Sequence, residues 1–337
     1  PRELTIPEIH TLVEQFGDCA KRAKAAGFDA VEVHGAHGYL AGAFASPLSN
    51  KRSDEYGGTI RNRARFGMEI IRNIKEKCGK DYPVLYRISS VEYVPGGLDI
   101  EESKVIARLM EEAGADCIHC SQGVYASTHT IIPPSVFPRA GYVEHAAEMK
   151  KAVQIPVIAV GRINDVEIAE SVLQSKKADL VTMARASLAD PELPNKVLKG
   201  RGDEVIRCIG CLQGCIEENG KGNGIRCLVN PLTGMEDEYD LTPAEKAKQV
   251  LVIGGGLVGA ETADMLGQQC EQVTIIEMLP QIMKDGEAAP TKYMKERFFQ
   301  NGVQIHTSTK LLEIGDHTVT AENLIYSAYL PLSLIHI

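Results

Sequence analysis

Apolar and polar positions alternate along about the first 200 residues with two different periods, one typical of helices and one typical of strands. Near the beginning, the segment from Thr5 to Glu8 resembles a capping box with a proline in the first turn. Apolar residues then recur every three or four positions as far as Ala23. We therefore expect a helix that begins near Ile6 and ends near Gly27.

Several segments share one order of features: the end of a helix, a turn that carries Asp, and a short apolar run rich in strand-forming residues. They occupy residues 25–33, 112–120 and 175–183, and two further runs of strand character occupy 82–89 and 155–161. Near-continuous apolar strands separated by helices are typical of a parallel sheet that is covered on both faces. The sequence therefore predicts an α/β fold with five parallel strands.

Polar residues are concentrated directly after these apolar runs. In chain order they are His34, His37 and Tyr39, then Arg87, then Ser121 and Gln122, then Gly161 and Arg162, and then Ala184 and Arg185. In a closed barrel of parallel strands, active sites are built at this edge. Polar loops follow many strands, so a single polar strand end is weak evidence of a site. Five polar strand ends in succession favour an active site at this edge of the sheet.

The composition narrows the class of protein. The chain of 337 residues has 44% hydrophobic and 24% charged residues, which is typical of a globular protein of one or two domains. A net charge of −9 without a basic stripe argues against a nucleic-acid partner and favours a small-molecule enzyme. The sequence shows neither a leader pattern nor an apolar run of membrane-spanning length, so we expect a cytoplasmic protein without a membrane partner.

Some of the nine cysteines lie close together in the sequence, namely Cys208, Cys211, Cys215 and Cys227. Their spacing, C-x2-C-x3-C-x11-C, supplies the four thiolates that a [4Fe-4S] cluster needs. Zinc also accepts four thiolates, but zinc ribbons usually contain two separated C-x2-C pairs. Disulfides are disfavoured in a reducing compartment. We expect an iron-sulfur cluster, with zinc as the alternative.

The last third of the chain contains an apolar strand, a glycine turn and a helix in the segment QVLVIGGGLVGAETADML, followed by a second strand, EQVTIIE. The residues that carry the pattern are Gly254, Gly256, Gly259 and Glu277. This is the arrangement of a dinucleotide fingerprint, in which a carboxylate after the second strand binds a ribose 2′-hydroxyl. We expect a partial Rossmann-like domain that binds FAD or NAD(P)H, with Glu277 favouring NADH.

Several long motifs resemble one known family. Residues 33–66, VHGAHGYLAGAFASPLSNKRSDEYGGTIRNRARF, are similar to the central signature of the Old Yellow Enzyme family of flavin-dependent barrels. GRIND (161–165) and MARASLADPEL (183–193) resemble the last two strand ends of that family. CIGCLQGC (208–215) is similar to its iron-sulfur branch, which includes 2,4-dienoyl-CoA reductase, 2-enoate reductases and the bile-acid-inducible flavin reductases. The resemblance implies the C-terminal part of a (β/α)8 TIM barrel, with about five strands.

The resemblance also implies flavin chemistry and roles for individual residues. His34 and His37 match paired donors to a substrate carbonyl oxygen, and Tyr39 matches the tyrosine that protonates the α carbon. The residues that match the FMN site are Arg87, beside the flavin ring, and Gly161, Arg162, Ala184 and Arg185, at the phosphate. The implied reaction is reduction of the C=C bond of an enoate, enoyl-CoA or enone by NAD(P)H, through FAD, the cluster and FMN.

The sequence departs from the family in one loop. The dienoyl-CoA reductase branch has a further active-site histidine after the sixth barrel strand, where this chain has Tyr125 and His129 without a clean match. The substrate therefore stays open among enoates, enones and steroid-type acids as well as dienoyl-CoA. An amine dehydrogenase of the trimethylamine dehydrogenase type is the alternative function.

We divide the chain into a partial FMN barrel (1–200), an iron-sulfur segment with a linker (201–245), a partial FAD/NAD(P)-binding domain (246–331) and an artefactual tail (332–337). The tail resembles a translated sequencing adaptor, and the first residue is not methionine, so we expect a fragment of a longer protein. The segment after the glycine turn resembles an NAD(H)-binding insert from further downstream, which suggests an assembly composite at 250–260. An inactive truncated fragment is a further alternative.

Overall fold

The computed structural model describes residues 2–238, 249–267, 270, 272–283, 288–314, 318–325 and 328–333. The chain divides into two compact units, residues 1–239 and 240–337. The first unit contains the predicted barrel domain and nearly all of the cysteine segment. The boundary expected at 200 therefore lies within one compact unit, and the division into functional segments stays a prediction.

The first unit is built on one parallel sheet. Its strands are β1 (Val31–Gly35), β2 (Val84–Ser89), β3 (Cys117–Ser121), β4 (Val157–Ala159) and β5 (Leu180–Val181). They pair in chain order, as the strands of a (β/α)8 barrel do. All five predicted strands are confirmed. Most residues of β2, β3 and β4 are buried, whereas Leu180 on β5 is 49% exposed.

Helices separate the strands and continue after them. They are α1 (Ile6–Ala25), α2 (Leu40–Ala45), α3 (Ile60–Cys78), α4 (Ile100–Ala113), α5 (Thr128–Ile131), α6 (Val143–Ala152), α7 (Val166–Gln174), α8 (Ala184–Ala189), α9 (Leu193–Leu198) and α10 (Glu218–Gly220). Helical turns are also formed by Tyr125–Ser127, Gly202–Glu204 and Gln213–Glu217. None of the helices in the described ranges is long and apolar enough to cross a lipid bilayer.

Helix α1 begins as its sequence predicts. The Thr5 backbone N–H donates to Glu8 Oε2 at 2.8 Å, which satisfies a donor that the helix itself leaves unpaired. The helix packs on α3, where the rings of Phe16 and Phe66 meet edge to face at 6.2 Å. Phe66 is fully buried, and burial of a side chain of this size contributes about 1.5–3 kcal/mol.

The second unit contains two small sheets. One is parallel, with β6 (Gln249–Ile253), β7 (Gln272–Ile276) and β8 (Gln304–His306), and its helices are α11 (Leu257–Gly267) and α12 (Ala288–Gln300). The other is antiparallel, with β9 (Thr309–Ile314), β10 (Thr318–Asn323) and β11 (Ala328–Ser333). Strand β11 extends two residues into the segment that the sequence analysis set aside as a tail, and residues 334–337 lie outside the described residues.

Candidate active site and cysteine cavity

A row of polar side chains crosses the first three strands. His34 on β1, Arg87 on β2 and His119 on β3 are aligned in register, so their side chains point to the same face of the sheet. His119 is buried, and its Nδ1 lies 2.7 Å from Glu32 Oε2. His34 and Arg87 have roles predicted from the sequence. No role is predicted for the buried His119, which lies in the same row.

His37 follows β1 in a buried and unusual backbone position. Its φ of 62° is left-handed, and its backbone N–H donates to Ser89 Oγ at 2.9 Å. Its Nε2 lies 2.8 Å from Ser121 Oγ. Burial, together with the nearby Arg87 guanidinium, lowers the pKa of His37 to about 3. The imidazole is therefore neutral near pH 7.

Ser121 contacts both this neutral imidazole and Arg87. The Arg87 guanidinium has only donors, and its Nη2 lies 3.4 Å from Ser121 Oγ. The serine oxygen accepts from Arg87 and keeps its own hydrogen, which can donate to His37 Nε2. In that arrangement the ring proton of His37 is on Nδ1. From sequence, Ser121 is predicted only as a polar residue at a strand end, although its i, i+2 spacing from His119 puts both side chains on one face.

Tyr39 completes the group at the open edge of the sheet. Its ring centroid lies 4.9 Å from that of His34, which is also 4.9 Å from that of His37. Desolvation lowers the pKa of His34 as well, so both imidazoles are neutral near pH 7. Tyr39 is 47% exposed, and the Tyr125 hydroxyl donates to its oxygen at 2.6 Å. The structure thus brings His34, His37, Tyr39 and Tyr125 together.

His129 does not join this group. Its ring contacts Phe137, with centroids 5.9 Å apart. Of the two candidates that the sequence offered in this loop, Tyr125 contacts the predicted proton donor.

The buried His37 makes stability depend on pH in a defined direction. Its pKa rises from about 3 in the folded protein to its ordinary value of 6.5 on unfolding. Below pH 6.5 the unfolded chain binds a proton that the folded chain does not, so stability falls as the pH falls toward 3. The free energy of unfolding falls by up to about 1.4 kcal/mol per pH unit in this range.

We expect the wild type to lose more stability between pH 7 and pH 5 than His37→Asn does, because asparagine tolerates the left-handed backbone and does not titrate there. Urea unfolding of both proteins at the two pH values measures the difference. Equal losses in the two proteins would contradict the burial-lowered pKa.

Arginines gather at the ends of β4 and β5. Gly161 has a φ of 121°, and a Cβ there would lie 2.8 Å from the ring of Tyr142. Arg162 Nη1 donates to the Phe137 carbonyl, and Arg185 Nη1 donates to the Pro133 carbonyl at 2.9 Å. Ala184 begins α8 beside Arg185.

The charges of these arginines are not balanced by partners. Burial lowers the pKa of Arg162, and the nearby Arg139 and Arg185 lower it further. Within the part of the chain that the structure describes, no carboxylate pairs with Arg139, Arg162 or Arg185, and the buried Arg162 Nε has no hydrogen-bond partner. The ends of β4 and β5 thus present several arginines and a buried N–H donor, Arg162 Nε, without a partner in the described ranges. Such a place suits a bound anionic group.

The four predicted cysteines line one cavity. Its walls are formed by Arg185, Leu188, Cys208, Ile209, Gly210, Cys211, Leu212, Gly214, Cys215, Arg226, Cys227, Leu228 and Val229. The two cysteine-bearing segments are held together by the Arg226 backbone N–H, which donates to the Gly214 carbonyl at 3.1 Å. A Cβ at Gly214 would lie 2.4 Å from the Arg226 carbonyl oxygen, so this approach requires glycine. Burial raises the pKa of the Cys215 thiol.

The glycine turn of the second unit has the predicted form. Gly254 has a φ of 98°, and a Cβ at Gly259 would lie 1.8 Å from the Gly254 carbonyl oxygen, so helix α11 can approach β6 only with glycine there. A Cβ at Gly256 would meet nothing within 4 Å. Glu277 accepts from the Gly255 backbone N–H at 2.6 Å, so its carboxylate lies against the turn.

Residues 1–204 match the NADH:flavin oxidoreductase / NADH oxidase family. The chain belongs to this family. Its members are oxidoreductases, and the family resemblance and the α/β fold predicted from the sequence are confirmed. Residues 223–327 match the pyridine nucleotide-disulphide oxidoreductase family, in agreement with the predicted dinucleotide-binding region.

Relatives include an NADH oxidase of Thermoanaerobacter brockii, which is 42% identical over 336 residues, covering 98% of this chain and 51% of that protein. A cinnamate reductase of Clostridium sporogenes is 38% identical over 291 residues, covering 82% of this chain and 44% of that protein. The chain thus spans about half the length of the curated relatives it matches.

The structure of 2-naphthoyl-CoA reductase shares the fold. The two chains superpose with a TM-score of 0.73 at 23% sequence identity, over 99% of this chain and 69% of the reductase. Histamine dehydrogenase from Rhizobium sp. 4-9 gives a TM-score of 0.71 at 20% identity, over 99% of this chain and 69% of the dehydrogenase. At these identities the likeness concerns the fold alone.

Proposed function

We propose that the chain carries the active site for NAD(P)H-dependent reduction of the C=C bond in an α,β-unsaturated carbonyl compound. One observation carries the proposal: the half-exposed Tyr39 contacts His34, the first of two neighbouring neutral imidazoles, at the carboxyl edge of the sheet. A proton donor and hydrogen-bond donors in one place are what this reaction requires. The relationship to a cinnamate reductase supports the same substrate class.

The residues at the edge of the sheet fit FMN. A buried Nε without a partner on Arg87 and another on Arg162 leave donors for the ring and the phosphate, and the group of arginines balances the charge of a phosphate dianion. FMN would be held by Arg87, Gly161, Arg162, Ala184 and Arg185. When bound, it supplies the hydride that adds to the β carbon of the substrate.

His34 and His37 bind the substrate carbonyl oxygen. Addition of hydride to the β carbon places negative charge on that oxygen, and N–H groups directed at it lower the barrier. In the tautomer that accepts from Ser121 at Nε2, the Nδ1–H of the neutral His37 is available as a donor. Loss of one such donor typically costs about 10²–10³-fold in rate.

Tyr39 protonates the α carbon. Its O–H bond breaks as the new C–H bond forms, and the phenolate recovers a proton from the Tyr125 hydroxyl, which is 2.6 Å away. Tyr125 is 63% exposed and exchanges its proton with water. The two tyrosines therefore form a short path from solvent to the substrate.

We expect Tyr125→Phe to slow alkene reduction only a few-fold, because Tyr39 is itself exposed and water can restore its proton. Turnover with saturating cinnamate measures the effect. His129→Gln is the matched control from the same loop and should have the activity of the wild type. A larger loss in His129→Gln than in Tyr125→Phe would assign the proton path to the histidine instead.

The four cysteines would hold a [4Fe-4S] cluster, which supplies single-electron transfer when bound. The irons of a cluster each take one thiolate at separate corners of a cube, and four cysteines that line one cavity can supply those thiolates. Zinc, which also accepts four thiolates, is the alternative.

The second unit would bind the dinucleotides of the electron path. Gly256, where a Cβ would meet nothing within 4 Å, would leave room for a pyrophosphate at the start of α11, while Gly254 forms the turn and Gly259 lets the helix approach β6. Glu277 would bind a ribose hydroxyl and so favour NADH over NADPH. We propose NAD(P)H as the electron donor and FAD as its acceptor in the whole protein. The predicted assembly composite at 250–260 stays a prediction, which one uninterrupted read of the gene would exclude.

A second candidate is an amine dehydrogenase. It is favoured by a relative, an N,N-dimethylglycine/sarcosine dehydrogenase of Chromohalobacter salexigens, which is 32% identical over 283 residues. Anaerobic oxidation of NADH that depends on cinnamate or an enone supports the reductase. Dye reduction that depends on an amine, without alkene-dependent oxidation of NADH, would replace it. A flavin absorbance band in the purified chain would argue against an inactive truncated fragment.

A further inference from the structure

Arg185 lies at the end of β5, where the phosphate site is proposed, but its side chain also lines the cavity of the four cysteines. One guanidinium nitrogen donates to the Pro133 carbonyl, which fixes the position of the group. No Asp or Glu in the described ranges forms an ion pair with it. The cysteine cavity therefore contains the guanidinium charge of Arg185 in a fixed position, and no carboxylate in the described ranges forms an ion pair with it.

The walls of the cavity strengthen the effect of this charge. Besides the cysteines, two glycines and two arginines, the lining is apolar, with Leu188, Ile209, Leu212, Leu228 and Val229. Electrostatic energies grow as the effective dielectric constant falls, so a charge acts more strongly here than at an open surface. The second arginine, Arg226, donates to the Gly234 carbonyl at 2.6 Å on the exposed side of its segment.

The cysteine segment is attached directly to the neighbouring strand end. Asn164 Nδ2 donates to the Cys208 carbonyl, and a Cβ at Gly210 would lie 3.1 Å from Arg162 Nε. The cysteines are thus packed against the same strand ends whose arginines suit the FMN phosphate. A residue at this junction can act on both groups.

We propose that Arg185 sets the reduction potential of the cluster in the cysteine cavity. A cluster with four thiolates is negatively charged, and each electron it accepts adds one unit of negative charge. A fixed guanidinium beside it stabilises the reduced form and so raises the midpoint potential. The inference rests on the proposed cluster and gives Arg185 a role beyond the phosphate site.

The test is a redox titration of the anaerobically purified full chain, followed by EPR, in the wild type, Arg185→Gln and Arg185→Lys. We expect Arg185→Gln to keep its iron and sulfide but to be harder to reduce, with the one-electron reduction constant about tenfold smaller, a shift of about −59 mV. Arg185→Lys keeps the charge and should recover most of the shift. Lys199→Gln, which removes an exposed lysine after α9, controls for net charge and should leave the potential unchanged.

The outcomes separate this inference from the proposed function. If the wild type contains no iron, the proposed [4Fe-4S] cluster is wrong. If Arg185→Gln keeps its iron and the potential of the wild type, the inference is overturned, and loss of flavin in that same variant would assign Arg185 to the phosphate alone. Equal shifts in Arg185→Gln and Lys199→Gln would also overturn it, because net charge would then explain both.

Discussion

Tyr39→Phe is expected to slow alkene reduction by about 10²–10⁴-fold, the range that a positioned general acid contributes. The phenyl ring keeps the contact with His34, and the side chain is 47% exposed, so the substitution removes the proton without disturbing the fold. In the proposed mechanism the imidazoles, not Tyr39, bind the substrate carbonyl oxygen. The loss should therefore fall on kcat, with little change in KM.

Two half-reactions distinguish this role from a general defect. Reduction of the bound flavin by NADH involves no alkene, so stopped-flow measurement should give the same rate in Tyr39→Phe as in the wild type. Oxidation of the reduced flavin by cinnamate should carry the entire loss. Equal alkene rates in the two proteins would remove Tyr39 from the proton transfer, whereas equal losses in both half-reactions would indicate damage to the flavin site.

Cys227→Ser is expected to abolish the cluster and, with it, alkene reduction driven by NADH. Cys227 is distant in sequence from the other three cysteines but lines the same cavity. Serine keeps the size of the side chain but is a poor iron ligand, so iron and sulfide should fall sharply on chemical analysis. Alkene reduction driven by dithionite should persist, because it does not need the cluster to bring electrons to FMN.

Cys19→Ser is the matched control, since Cys19 is exposed on α1 and lies outside the cavity. It should retain the iron of the wild type. Zinc in place of iron in the purified wild type would favour the alternative metal, and full iron retention in Cys227→Ser would exclude this cysteine as a ligand.

The fold could be predicted where local sequence and burial agree. The five strands of the first unit are apolar runs separated by helices, and the glycine turn after β6 requires glycine for steric reasons that act locally. The antiparallel β9, β10 and β11 were not predicted. Their pairing depends on contacts between separate strands and a register shift between Thr320 and Ala321, which no local pattern specifies.

The candidate site could be predicted in part for the same reason. His34, His37 and Tyr39 lie within one short motif, whereas Ser121 reaches His37 from 84 residues away and Tyr125 reaches Tyr39 from 86. Such contacts follow from strand register and loop path, not from spacing along the chain. Arg185 is predicted from the sequence to bind a phosphate because it follows a strand end, but its position beside the cysteines is visible only in the structure.

The hydrogen bond from Asn164 to the Cys208 carbonyl bears on any attempt to transplant the cysteine segment. Asn164, which follows β4, holds the segment, and Arg185 and Leu188 on α8 line its cavity. A peptide of residues 205–230 would lack all three residues, so an excised peptide is expected to bind iron less well than the full chain does.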